Sequence, residues 1–413
     1  MAYMKDAAGQ RLDSYEVQGN KPSNIATRIF GGRMGTFNNT TSNTFQITTE
    51  LAQHFDAVRV IFANSDTGFS HSMRQVAVSV IPDKTDLNNS AGTWTLASRS
   101  GMGRVYAEIA PGAGRIAYTM TDWINVSSIP RTDGGTHPLL VVRAFMQATA
   151  ALPVYGDGID DFTNWATRTD GRIWVARNQT GLHTSTTTGF TSTTNANQSP
   201  IVGIQYLSRG KVITVCGVGD SITDGRGGYF NEGFIMPATE ALSDPAGTAY
   251  EYMNCGWSGQ AMVTFAERAI DILQSEVRPD ILVLPAASPN DAVSTITAAN
   301  VAAFRGQRSR VLAEARRLGV PVVTWTWLPV NTATRPWGAT DALRTAYNAE
   351  VLAQAGRGIF VADTAPAVSG VTTGSQVQML GSATTDGIHP NPAGNAILRD
   401  VIKLVIREAA RTV

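Results

Sequence analysis

Residues 1 to about 209 carry short apolar runs that alternate with polar positions and end in turn residues. TFQITT (44–49), AVRVIFAN (57–64), QVAVSVIP (75–82), GRIAYTM (114–120), LLVVRAFM (139–146), GRIWVARN (171–178) and IVGIQYL (201–207) are of this kind. A period of two sends successive side chains to opposite faces of a strand, so these runs predict half-buried strands. Their shortness and number, with little helical periodicity between them, predict an antiparallel, jelly-roll-like β-sandwich over residues 23–209. The polar stretch TSTTTGFTSTTNANQS (184–199) reads as a long loop, and residues 1–22, which hold no core strand, as an arm.

From residue 210 to 413 the pattern changes. KVITVCGVG (211–219) is a continuous β-branched run, followed by YEYMNCG (250–256), DILVLPAA (280–287), VPVVTWTWLPV (320–330) and GIFVAD (358–363). Between and after them lie segments of helical period at 262–277, 296–319, 339–356 and 391–412. Continuous apolar strands alternating with amphipathic helices predict an α/β domain around a buried parallel sheet.

Length and composition agree with two domains: the chain has 413 residues, 43% of them hydrophobic and only 16% charged. The formal net charge is zero, so no global field attracts nucleic acid or an anionic membrane, and neither is expected as a partner. The Arg-rich stretch FRGQRSRVLAEARR (304–317) reads as a solvated helix face. No apolar run is long enough to predict a transmembrane helix. The N-terminal MAYMKDAAGQRLDSYEV has neither the basic nor the apolar region of a Sec signal. The expectation is an intracellular protein or one outside the cell without a cleaved signal, such as part of a phage particle. The two cysteines, Cys216 and Cys255, fall in predicted buried strands and are expected to be free thiols. With five histidines and no Cys/His cluster at ligand spacing, no metal or other cofactor is expected.

The candidate chemistry begins where the first parallel strand ends, in VCGVGDSITDGRGG (215–228). A dinucleotide fingerprint fails because Ile222 stands where a third glycine or alanine is needed for close helix–strand packing. A phosphate loop fails for lack of a following lysine. A G-x-S-x-G elbow fails because Thr223 replaces the second glycine. What remains is Ser221 at the C-terminal edge of a parallel sheet, where α/β proteins bind ligands. It is either a helix cap or a nucleophile. The glycines that follow, Gly225, Gly227 and Gly228, are read as leaving room for substrate.

A serine nucleophile needs a base, and TTDGIHPNPAGNAI (384–397) offers one. His389, with Asp386 three residues earlier on the same turn, forms a base and the carboxylate that orients it. Acyl transfer also needs oxyanion donors. The Ser221 N–H, the Gly259 N–H in NCGWSGQ (254–260) and the Asn290 amide in PAASPNDAV (285–293) are the candidates, each at a strand end.

GDSIT (219–223), NCGWSG (254–259), SPND (288–291) and DGIHPNPAG (386–394) occur in the order of the four motif blocks of the GDSL/SGNH hydrolase family, which residues 211 to 410 resemble. The resemblance implies a flavodoxin-like three-layer α/β/α fold and a serine esterase or acylesterase activity. Carried onto this sequence, it implies Ser221 as nucleophile, His389 as base and Asp386 as its orienter. Ser221, Gly259 and Asn290 become the oxyanion hole. The family usually reads G-x-N-D where this chain has Ser288-Pro289-Asn290-Asp291. That puts the loop's backbone path, and any positive φ the glycine served, in question. VRVIFANSDTG (58–68) is similar to a strand motif of the sandwich preceding the catalytic domain in some secreted GDSL-type esterases. KDAAGQRLDSYEV is similar to the start of phage tail-associated proteins.

The expected reaction is hydrolysis of a small acyl ester, acetyl first, on a carbohydrate or polysaccharide, through an acyl-Ser221 intermediate. One alternative is a lipase or arylesterase on small lipophilic esters. Another is a catalytically silent carbohydrate-binding or virion adhesin. Trp257, Trp325, Trp327 and Trp337 fall near predicted strand ends or in the loops that follow, where aromatic faces could pack on sugar; the competing reading is that they fill the core. The expected partner is the acylated carbohydrate or another ester, with a homo-oligomer as a further expectation.

Overall fold

The computed structural model describes residues 24–30, 34–37, 42–63, 71–84, 92–99, 107–109, 118–148, 152–155, 174–180, 182–184, 199–225, 233–244 and 247–413. The arm read at residues 1–22 lies outside the described residues, as does all but the edge of the loop read at 184–199.

Five strands of the C-terminal half stand side by side in the order Ile359–Ala362, Val322–Trp325, Ile281–Pro285, Val212–Gly219, Ala249–Gly256, every neighbouring pair parallel. Alternate residues of these strands face two helical layers. Cys216, Val218, Leu282 and Leu284 meet apolar residues of the helices Met262–Gln274 and Ala298–Arg317. Val215, Ile281, Val283 and Val323 meet the helices Ile235–Glu240 and Pro392–Ala409 on the other side. With both faces covered, the strands are apolar throughout, which is why the sequence shows continuous runs here. The result is a three-layer α/β/α domain.

This sheet does not stop at its first-half boundary. Ile25–Ile29 joins Ala249–Gly256 through a parallel contact at Ile29 and Met253, and pairs antiparallel with Ile201–Ser208. Phe55–Ala63 and Tyr118–Met120 follow, also antiparallel, with Ile124–Asn125 beside Phe55–Ala63, and complete a ten-stranded sheet. A second, antiparallel sheet runs Trp174–Thr180, Ser42–Glu50, Leu139–Ala148, His71–Ile81, Thr95–Leu96, with Ala107–Ile109 also on His71–Ile81. Val58, Val60, Phe62 and Ile204 of the first sheet pack on Ile47, Val76, Leu140 and Val142 of the second. That pairing of inner faces is a β-sandwich.

The seam between the halves is polar as well as apolar. Arg28 Nη1 lies 2.9 Å from Glu251 Oε1 and 3.3 Å from Glu240 Oε1, all three side chains being buried. The Tyr206 hydroxyl and the Ala52 N–H donate to Glu251 Oε2 at 2.9 and 3.0 Å. Ile29, Ile61 and Val202 of the N-terminal strands share one apolar core with residues of the helix Met262–Gln274.

Some expectations are corrected. The run VPVVTWTWLPV is a strand only over Val322–Trp325. Beyond it side chains take over at Trp327: its N–H donates to Asn348 Oδ1 at 2.8 Å, and its carbonyl accepts from Asn348 Nδ2 at 2.9 Å. The Arg-rich helix is a solvated face for Arg305, Arg310 and Arg317, which pair with Glu350, Glu267 and Glu314. Arg308 departs from that reading, being buried with its Nε 3.4 Å from Thr324 Oγ1. Cys216 and Cys255 are free and buried. No helix among the described residues is long and apolar enough to cross a membrane.

Candidate active site

The site forms where Val212–Gly219 ends. Asp220 leaves the strand in extended conformation and caps the four-residue helix Ser221–Asp224, its Oδ1 accepting the Ile222 N–H at 3.0 Å. Gly225, at φ +99°, closes the helix by donating its N–H to the Ser221 carbonyl at 3.1 Å. The substrate-clearance role read for Gly225 thus yields to a cap role, because the left-handed conformation favours glycine; Gly227 and Gly228 lie outside the described residues. A Cβ on Gly256 would collide with the Asp224 backbone, so the neighbouring strand approaches the helix this closely only as glycine.

Ser221 is 4% exposed, and its Oγ stands 2.8 Å from His389 Nε2, 168 residues away in sequence. His389 Nδ1 lies 2.5 Å from Asp386 Oδ2. The other carboxylate oxygen, Oδ1, accepts the His389 and Ile388 backbone N–H groups at 2.8 and 2.9 Å. With the ring proton on Nδ1 facing Asp386, Nε2 turns its lone pair to the serine hydroxyl. Burial works against ionisation of Asp386. The His389 ring and the two backbone N–H groups outweigh it and hold the carboxyl below the ordinary carboxylate range.

The turn carrying this pair is braced from two sides. Thr384 Oγ1 donates to the His389 carbonyl at 2.8 Å and accepts the Gly387 N–H at 2.9 Å. The loop after Val322–Trp325 reaches over it: the Asn331 N–H donates to the Gly387 carbonyl at 2.8 Å, and Thr334 Oγ1 to the Asp386 carbonyl at 2.7 Å. These bracing residues escape a sequence reading, since an isolated threonine or asparagine carries no local signal of its partner.

Gly259 follows Ala249–Gly256 at φ +84°, with nothing within 4 Å of where a Cβ would stand. Asn290 sits in the turn Pro289–Asp291 after Ile281–Pro285. Its Nδ2 donates to the Gln260 carbonyl at 3.0 Å, which ties the two loops together and leaves the amide a second N–H. Ser288, in the place of the usual glycine, is extended at φ −120° and ψ 138°, so the loop needs no positive φ there. Pro289 opens the turn, where a missing N–H is harmless.

Of the four tryptophans, three are not available to substrate. Trp325, Trp327 and Trp337 are buried at 1–2% exposure and fill the core. Trp325 packs edge-on against Phe234, and Trp327 against Phe304 and Trp337. Strand-end position alone could not separate a surface ring from one beneath the loops. Trp257 is partly buried, with the Arg268 guanidinium 5.3 Å from its ring.

Residues 218–397, from the end of the first parallel strand past His389, match the family model of the GDSL-like lipase/acylhydrolase family. Over these residues the chain is similar to GDSL-like lipases and acylhydrolases. Among solved structures, the domain's chain is similar to a putative acylhydrolase from Bacteroides fragilis at 19% identity, TM-score 0.39, with 47% of this chain and 86% of that one covered. A GDSL-like lipase from Bacteroides thetaiotaomicron is 21% identical at TM-score 0.38, covering 48% and 88%. A family 3 carbohydrate esterase from Clostridium thermocellum is 17% identical at TM-score 0.33, covering 49% and 98%. No curated protein matches the chain. Ser221, Asp386, His389, Gly259 and Asn290 all lie inside the matched span.

Proposed function

We propose that the protein is a serine esterase that removes small acyl groups, acetyl above all, from a carbohydrate. The observation that carries this reading is the line from Ser221 Oγ through His389 to Asp386, at 2.8 and 2.5 Å, on the ligand-binding edge of an acylhydrolase sheet. Ser221 Oγ attacks the ester carbon while its proton passes to His389 Nε2. The negative charge that develops on the carbonyl oxygen is met by the Ser221 and Gly259 N–H groups and the Asn290 amide. Collapse breaks the bond to the alcohol, which leaves with the proton from His389. Water then attacks the acyl-serine, gives its proton to His389, and the acid departs as Ser221 recovers its own.

Exposure of the Asp386 turn supports a substrate that approaches from solvent. The His389 side chain is 14% exposed and that of Asp386 50%, so the turn that carries the base reaches solvent through Asp386. An acetyl group projecting from a polymer reaches such a site without enclosing an acyl chain. The sandwich beside the acylhydrolase and the partly buried Trp257 ring offer further surface for a saccharide.

The test compares acetate release from acetylated xylan and bacterial capsule with acid release from tributyrin, for wild type and Ser221→Ala. Acetate from the glycans by wild type alone is the expected result. Activity retained by Ser221→Ala overturns the nucleophile, and release from tributyrin without any from glycans favours a lipase or arylesterase.

A further inference from the structure

Two fully buried side chains, Asp220 and Ser288, connect the segment of the nucleophile to the loop of Asn290. Ser288 Oγ lies 2.5 Å from Asp220 Oδ2 and accepts the Asn290 backbone N–H at 3.2 Å. The Gln260 carbonyl is also within its reach, at 3.2 Å. A hydroxyl has one hydrogen to donate. While Asp220 is ionised that hydrogen goes to the carboxylate, the stronger acceptor. The Gln260 carbonyl is then left to the Asn290 side-chain amide, 3.0 Å away. A proton on Asp220 reverses the order: Asp220 donates to Ser288, and Ser288 turns its own hydrogen to the Gln260 carbonyl beside the Asn290 amide.

We propose that Ser288 is a positioning residue of this hydrolase: its hydroxyl, oriented by the Asp220 carboxylate, holds Asn290 where the amide can serve as an oxyanion donor. This rests on the esterase reading above and goes beyond it. A glycine at this position cannot make the connection, so the departure from the usual motif acquires a purpose. Asp220 is one residue before Ser221, so the same carboxylate that caps the nucleophile's helix also sets the opposite loop. The two halves of the reaction centre are thereby held in register.

The charges around Asp220 come from three elements besides its own. Asp291 is on the turn that holds Ser288, and His389 is on the C-terminal loop. Arg268, on the helix Met262–Gln274, brings Nη2 to 3.5 Å from the adjoining Gly219 carbonyl. Burial raises the Asp220 carboxyl above its ordinary range; the Ser288 hydroxyl, the Ile222 N–H and His389 oppose that rise, and Asp291 adds to it. Removing the Ser288 hydroxyl therefore raises it further, so the carboxylate that caps the nucleophile's helix is protonated at higher pH in its absence.

The experiment measures turnover of p-nitrophenyl acetate against pH for wild type and for Ser221→Ala, Ser288→Ala, Ser288→Thr and Ser288→Gly. Ser288→Ala is expected to lose about ten- to a hundred-fold in kcat with KM within about twofold. Its acid limb moves to higher pH, and Ser288→Thr, which keeps the hydroxyl, restores both. Wild-type kcat and acid limb in Ser288→Ala overturn the proposal, as does a Ser288→Thr as impaired as the alanine. Where Ser288→Ala fails to fold, Ser288→Gly takes its place, and wild-type turnover by it overturns the proposal equally. Activity retained by Ser221→Ala strikes the esterase reading itself, whereas an inactive Ser221→Ala beside an unimpaired Ser288→Ala strikes only the role of Ser288.

Discussion

Arg28 Nη1 and Glu251 Oε1 are 2.9 Å apart in the interior, and they come from opposite halves of the chain. Glu251 lies on the strand next to the one that ends at the nucleophile, so this ion pair fastens the sandwich to the catalytic sheet. Burial acts against the charge of Arg28, and Glu251 and Glu240 more than offset it. Arg28→Met takes a cation away from two buried carboxylates. The expected loss is about 3–5 kcal/mol. Urea unfolding of the full chain measures it, and a change within 0.5 kcal/mol or so would refute the role given to the pair.

Asp386 orients His389 from a half-exposed position, so water can take over part of its work when it is changed. Asp386→Asn is expected to lower kcat by about 10³-fold, short of the ~10⁴-fold loss associated with a buried triad carboxylate. Because folding lowers the Asp386 pKa, its stabilising contribution is present above the ordinary carboxylate range and is lost as pH falls through the lowered folded value. The stability difference between wild type and Asp386→Asn should thus stay level from neutral pH down to the ordinary range and shrink below it. Thermal melts across an acid series measure this.

Gly387 holds the turn between Asp386 and His389 at φ +80°. A Cβ there would stand 2.8 Å from both Asn331 Cβ and Thr334 Oγ1. Gly387→Ala must push the bracing loop away or move the turn, at a cost of about 1–3 kcal/mol. The expected variant melts lower and turns over more slowly, with the histidine displaced from Ser221. A variant that loses stability yet keeps full kcat would show that the brace is structural only.

Asn290 is expected to matter to the transition state more than to binding. Asn290→Ala should lower kcat by about 10²- to 10³-fold and leave KM nearly unchanged, since the ground-state carbonyl carries little charge. Steady-state kinetics on one activated ester separate the two. A rise in KM at constant kcat would instead make Asn290 a binding residue.

Much of this molecule is readable from residue order. Continuous apolar strands and helical periods follow from burial on two faces, and the halves of the chain differ visibly for that reason. Ser221, His389 and Asp386 stand out because each chemistry-bearing residue sits beside turn residues at the end of a recognisable run. Other features depend on contacts between distant segments. IATRI (25–29) bears an arginine that looks unsuited to a core strand, and its meeting with Glu240 and Glu251 in space makes burial tolerable. The extension of the catalytic sheet into the N-terminal strands is a matter of edge pairing, which local pattern does not encode. Trp325, Trp327 and Trp337 lie, like Trp257, at a strand end or in the loop that follows one, and tertiary packing alone decides that they are core. Ser288 in place of glycine reads as a defect along the chain. In space its hydroxyl meets Asp220, because a hydrogen bond between segments 68 residues apart is created by the fold that brings them together.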